Sequence, residues 1–212
     1  MKRNFSAMTL KDALLLLEQE ELLPWDLQAP PRPPSAFLTE ALIRFRSFDT
    51  ANTEAAKLLL IDAVFAEIVP NHPNLKVWKA MPLESDTLIG VSDYLVAPRR
   101  AYLALPLLCV AEAKRDDFVQ GRAQCLAEMV ACRDNNRQEG HDVDAVFGIV
   151  SNGQVWQFYK LAKSDEVYET DPLAISDLPR LLGALDLVCA ECARQVPSTM
   201  NTITTLVSSV AV

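Results

Sequence analysis

The chain has 212 residues, of which 50% are hydrophobic and 23% charged, and its formal net charge is -8. That length and apolar share suit one globular domain with additions and exclude disorder throughout. The acidic balance excludes nucleic-acid binding by bulk electrostatics, so any contact with a polyanion has to be local.

No apolar run approaches the roughly 20 residues that a membrane span needs. The amino-terminal stretch lacks a signal peptide's apolar centre, so a soluble cytoplasmic protein with no membrane contact is expected. Cys109, Cys125, Cys132, Cys189 and Cys192 lie in apolar surroundings, as reduced core cysteines do. Cys189 and Cys192 have CxxC spacing, but they fall in a helical pattern with no second Cys or His pair nearby, which speaks against zinc or redox chemistry.

Residues 9–22 read as a helix, with Thr9 as N-cap and Asp12 three positions on, ended before Pro24. Pro24, Pro30, Pro31, Pro33 and Pro34 make the next segment an extended arm that connects or wraps. This divides the chain into a helix and Pro-rich arm over 1–34, a single domain over 35–196 and a tail over 197–212. Residues 36–48 alternate only in part, and helix is preferred there. From a cap at Asn52 or Thr53, the residues Glu54, Leu58, Ile61, Phe65 and Ile68 fall on one helix face. Glu54 extends that core-facing stripe, although a first-turn Glu also favours the helix dipole.

Residues 75–80, 88–96 and 106–114 read as strands, with connections short enough for antiparallel neighbours. Asp116 or Asp117 then caps a helix over 118–133, with Phe118, Cys125, Met129 and Cys132 inward and Gln124 two turns in. Residues 143–150 and 155–161 flank Asn152-Gly153, a dipeptide suited to a type I′ hairpin turn. The helix before that hairpin lets one of its strands lie parallel to the 106–114 strand through a crossover. A last helix spans 176–194, capped by Ser176 or Asp177, and residues 206–212 either add an edge strand or fray.

The chemistry-bearing residues sit in two of these strands. Alternation in 106–114 puts Leu108, Val110, Glu112 and Lys114 on one face and Leu107, Cys109, Ala111 and Ala113 on the other. Asp93 lies in the same way between Val91 and Leu95. An apolar strand that ends in Glu and Lys either reaches solvent at the rim of the sheet or holds both charges at a polar site, because burying unpaired charge is costly.

The order of a helix bearing Glu54, strands with Asp93, a strand ending Glu112-Ala113-Lys114 and a helix with Gln124 resembles the PD-(D/E)xK nuclease superfamily. It looks closest to the branch that holds the N-terminal nuclease domains of type I restriction subunits. The hairpin through Ile149-Val150-Ser151-Asn152-Gly153-Gln154-Val155-Trp156 is similar to the one that follows the active-site helix there, and the likeness covers roughly residues 50–162. Two departures stand out: Ser92 replaces the proline of the name-giving Pro-Asp pair, and Glu128 occupies a position where some relatives carry an aromatic residue.

The resemblance implies an α/β (α+β) fold with a restriction-endonuclease-like core, a central mixed β-sheet flanked by helices, and an endonuclease that hydrolyses phosphodiester bonds of DNA with Mg2+ (or Mn2+). Asp93, Glu112 and the backbone carbonyl of Ala113 would hold the ion, whose preference for oxygen ligands suits them. Glu54 would act through a water or a second ion. Lys114 would orient or deprotonate the attacking water, and Gln124 would position the lysine side or a strand backbone. The residues themselves are compatible with this, since two carboxylates packed in an apolar setting raise one another's pKa and a cation keeps both ionised.

From Arg99 to Arg133 there are six basic residues against four acidic ones, and Arg115 and Arg122 are the nucleic-acid-binding candidates among them. A stripe of Arg is also what a solvated helix face carries. The chain contains no recognisable reader domain or translocase motor, which points to a separate targeting partner or a homodimer. The competing reading is an inactive fold that serves as a nucleic-acid-binding or protein-interaction module, with Lys114 in a structural ion pair and Trp25, the Pro-rich arm and the tail making contacts. A small-molecule enzyme using Cys189 and Cys192 is a third class.

Overall fold

The computed structural model describes residues 2–49, 54–113 and 117–197, with 54 and 55 described by backbone alone. In chain order its elements are β1 (Arg3–Asn4), α1 (Leu10–Leu16), β2 (Leu23–Pro24), α2 (Ala36–Phe45), α3 (Glu54–Ile68), β3 (Leu75–Glu84), β4 (Leu88–Pro98) and β5 (Cys109–Ala113). There follow α4 (Phe118–Gln138), β6 (Ala145–Ser151), β7 (Val155–Ala162), β8 (Val167–Glu169), β9 (Leu173–Ala174) and α5 (Leu178–Arg194). The caps at Asn52 or Thr53 and the edge strand expected in the tail lie outside the described residues.

All nine strands join one mixed sheet in the order β1-β4-β5-β6-β7-β8-β2, with β3 on β4 and β9 on β7. The expected parallel crossover is present: β5 and β6 pair in parallel from Cys109↔Phe147 to Ala113↔Ser151, with α4 between them in sequence. On one face Ile61, Phe65 and Ile68 of α3 and Leu181, Leu185 and Val188 of α5 pack on Tyr94, Cys109, Ala111 and Ile149. On the other, Cys125, Met129 and Cys132 of α4 and Ala13 of α1 pack on Leu95, Val110, Val150 and Tyr159. All five cysteines are buried as free thiols within these two cores.

Burial surrounds α4 on almost every side. Beneath it, a Cβ at Gly148 of β6 would collide with Met129 Sδ and with Cys125 Sγ at 2.7 Å, so only glycine lets helix and sheet approach this closely. Above it, Gln120 Nε2 donates to the Ser6 carbonyl (3.0 Å) and Asn135 Nδ2 to the Glu84 carbonyl (2.8 Å), tying the N-terminal segment and the far end of the β3–β4 hairpin across the helix. Asp117 is the cap, its Oδ1 accepting the Gln120 N–H at 2.8 Å. No helix among the described residues is long and apolar enough to cross a membrane.

The N-terminal arm is built into this body. Trp25 stacks on Phe147 with ring centroids 6.0 Å apart, β2 pairs with β8, and Arg32 N donates to the Pro179 carbonyl at 2.8 Å. The first helix is shorter than expected: Thr9 and Asp12 form the capping box, but the chain leaves the helix after Leu16 and turns at Glu18, whose φ is 54°. Strand β5 also starts later than expected. The Leu107 N–H and carbonyl are both taken by the Asn136 side chain at 2.7 Å, so Leu107 stands outside the ladder, while Leu108 already bonds to Val96 and Phe147 on either side, and alternation begins at Cys109.

The hairpin between β6 and β7 is where the sequence places it, but Asn152-Gly153 is not a type I′ centre. Only Gly153 has a positive φ (83°), whereas that turn needs one at both central residues. Asn152 acts through its side chain, with Oδ1 accepting the N–H groups of Gln154 (3.0 Å) and Val155 (2.9 Å).

Candidate functional site

Asp93 sits where the β3–β4 ladder is interrupted. Lys79↔Tyr94 and Met81↔Ser92 pair, but Ala80 and Asp93 between them do not. Ala80 has a φ of 50°, a left-handed conformation that costs a residue with a Cβ roughly 1–2 kcal/mol. Both strands change facing at this level. Leu95 and Ala97 on one side of Asp93, and Leu88 on the other, all belong to the core under α4, although their spacing is odd. Val91, expected to share a face with Asp93 and Leu95, is 52% exposed, and Ser92 takes its place toward α4. Irregularities of this kind re-aim side chains at functional sites.

Asp93 is aimed at the end of β5. Beyond the last β4–β5 pair, Tyr94↔Ala111, its Oδ2 accepts the Ala113 N–H at 2.9 Å. That brings its carboxylate to the peptide unit joining Glu112 and Ala113, two of the residues expected with it.

Glu112 is 2% exposed and lies on the α4 side with Val110. There it meets Glu128, which is fully buried. Burial, and then the charge of Glu112, push the Glu128 pKa well above the usual carboxylate range, and the two carboxyl groups hydrogen-bond. Gln124 Nε2 donates to Glu128 Oε1 at 3.2 Å, and Ser92 Oγ lies 3.0 Å from both Glu128 Oε2 and the Tyr94 carbonyl. Ser92, Glu112, Gln124 and Glu128 thus form one buried polar chain joining β4, β5 and α4.

On the opposite face, Tyr94 Oη donates to Asp62 Oδ1 at 2.9 Å, and Lys79 Nζ donates to both Asp62 oxygens at 2.7 Å. These bonds fasten α3 to the hairpin next to Asp93. Glu54 is the first residue of α3. Its side chain, like Lys114 and Arg115 entirely, is outside the described residues. Arg122 is turned away from the carboxylates, its Nη1 donating to Glu169 Oε2 of β8 at 3.3 Å.

Asp93, Glu112, Ala113 and Gln124 therefore come together. The oxygens they carry, two carboxylates and a backbone carbonyl among them, are of the kind that a hard divalent ion takes. Among the described residues, no group of three or more His, Cys, Asp or Glu side chains is placed to hold a metal ion.

No protein-family model matches the chain, and no curated protein is significantly similar to it. Two buried charged residues, Glu128 beside Glu112 and Lys57 on α3, were not singled out by sequence. Glu128 lies three residues after Cys125 and four before Cys132, squarely on the inward stripe of its helix, and a carboxyl group there is the signal that marks it. Lys57 is 5% exposed. It stands three residues after Glu54 and four before Ile61, on the buried side of α3, where a lysine is rarely tolerated without a role.

Proposed function

We propose that the chain is a metal-dependent nuclease-like protein with a restriction-endonuclease-like core that hydrolyses phosphodiester bonds of DNA. The observation that carries this reading is the Asp93 bond to the Ala113 N–H at 2.9 Å, which sets one strand carboxylate against the peptide bond following the other.

In this reading Asp93, Glu112 and the Ala113 carbonyl hold a magnesium or manganese ion, with Glu54 at the start of α3 as the remaining carboxylate. The ion supplies positive charge for the phosphoryl oxygen and makes water more acidic. Lys114, the residue after Ala113 in sequence, orients the attacking water and offsets negative charge as it builds on the phosphoryl group. Gln124 and Ser92 hold Glu128, and Glu128 holds Glu112, so the buried chain fixes the ligand's direction. DNA is the substrate, and a separate partner or a second copy supplies targeting.

The same buried chain favours a second reading. Glu112 engaged with Glu128 is a ligand already occupied, as in a fold retained for binding alone. Incubation of supercoiled plasmid with manganese separates the two. Nicking by the native protein, lost in Lys114→Ala, is expected; equal nicking by both proteins, or none by either, refutes hydrolysis at this site.

A further inference from the structure

A groove runs between α3 and the β3–β4 hairpin and leads away from the candidate site. It is lined by Asp62, Phe65, Val77, Lys79, Tyr94 and Arg99 among others, and Asp62 takes bonds from both Lys79 and Tyr94 at its inner end.

Around Arg99, at its outer end, lies a cationic cluster. Arg99 and Arg100 are exposed, and among the described residues they bond to backbone carbonyls: Arg99 Nε donates to Pro73 O at 2.8 Å, and Arg100 Nη1 to Arg99 O at 3.4 Å. Lys76 Nζ donates to Arg100 O at 3.5 Å and lies 3.8 Å above the Trp78 ring. None of the three has a carboxylate within ion-pair distance among the described residues, whereas Lys2, Arg3, Arg44, Arg133 and Arg137 each sit on one. No acidic residue occurs from Tyr94 to Ala111, and Tyr102, 70% exposed, shares this loop. In a chain of net charge -8, such a strip is a local feature that bulk composition conceals.

We infer that the Arg99–Tyr102 loop and Lys76 form a landing strip for a single strand of nucleic acid. Guanidinium and ammonium groups take the phosphates, and Tyr102 offers its ring to a base, the combination that sequence-independent single-strand binding uses. The identity of the polymer rests on the nuclease reading; the anionic, stackable nature of the ligand does not.

The test is fluorescence anisotropy of a labelled oligothymidylate with metal chelated, on the full chain. Native protein should bind the single strand at least about tenfold tighter than the matching duplex. Arg99→Glu/Arg100→Glu should weaken binding by about tenfold or more and flatten the slope of log K against log salt by about 1.4, two phosphates at about 0.7 each. Tyr102→Ala should weaken it by about fivefold or more. All three residues are exposed, and an unchanged circular-dichroism melt shows that the variants fold. No binding by native protein, a double variant within about twofold of it, or displacement of the oligonucleotide by polyglutamate overturns the inference. Glu112→Ala should still bind. Arg99-dependent binding without cleavage would sink the nuclease reading alone, and cleavage indifferent to Arg99 and Arg100 would sink the strip alone.

Discussion

Replacing Glu112 with alanine is expected to lower manganese-dependent DNA cleavage by more than about 100-fold, since losing even a residue that merely supports a ligand costs about 10- to 100-fold. The heat of manganese binding should vanish with it. The loss is chemical rather than structural, because Glu112 sits against Glu128 and both its charge and its hydrogen bond add to burial in raising the Glu128 pKa. With Glu112 gone, Glu128 keeps its bonds from Gln124 and Ser92 and no longer faces a carboxylate. Cleavage and a thermal melt run on the same preparation check both halves; a variant that still cuts at the native rate removes Glu112 from the site.

Trp156→Ala should cost about 3–5 kcal/mol, the usual range for emptying a buried Trp position, and should lower the melting temperature by roughly 10 °C. Trp156 is fully buried, and its Nε1 donates to the Gly153 carbonyl at 3.2 Å across the β6–β7 turn. Its ring meets Phe65 of α3 edge-on at 6.3 Å, and Phe65 stacks on Tyr94 of β4 at 5.3 Å. One residue of β7 therefore helps to set how α3, with Glu54 at its start, lies against the strand that carries Asp93. Thermal denaturation followed by circular dichroism measures the loss, and a cost under about 1 kcal/mol would show that the aromatic chain is not what seats α3.

What could be read in advance follows from how local its causes are. The Thr9 and Asp117 caps, the hairpin around Gly153 and the inward stripe of Cys125, Met129 and Cys132 depend on residues a few positions apart, and each is found where spacing places it. The parallel β5–β6 pair was legible because a helix between two strands forces a crossover. What escaped depends on contacts distant in sequence. Nothing around Ala80 announces a positive φ, because only the bending of the hairpin over α4 requires it, and without that break Val91 rather than Ser92 is assigned to the side of Asp93. Leu107 left the ladder through Asn136, 29 residues on. Glu128 stood in plain view as a departure from the family pattern, yet its place beside Glu112 emerges only once β5 and α4 are packed together.

The most direct test is an anomalous difference map from crystals grown with manganese. A peak about 2.1 Å from one oxygen each of Asp93, Glu112 and the Ala113 carbonyl, with the Glu112 carboxylate swung from Glu128 toward it, is the expected result. Empty density between Asp93 and Glu112 at millimolar manganese, with Glu112 still hydrogen-bonded to Glu128, would contradict it.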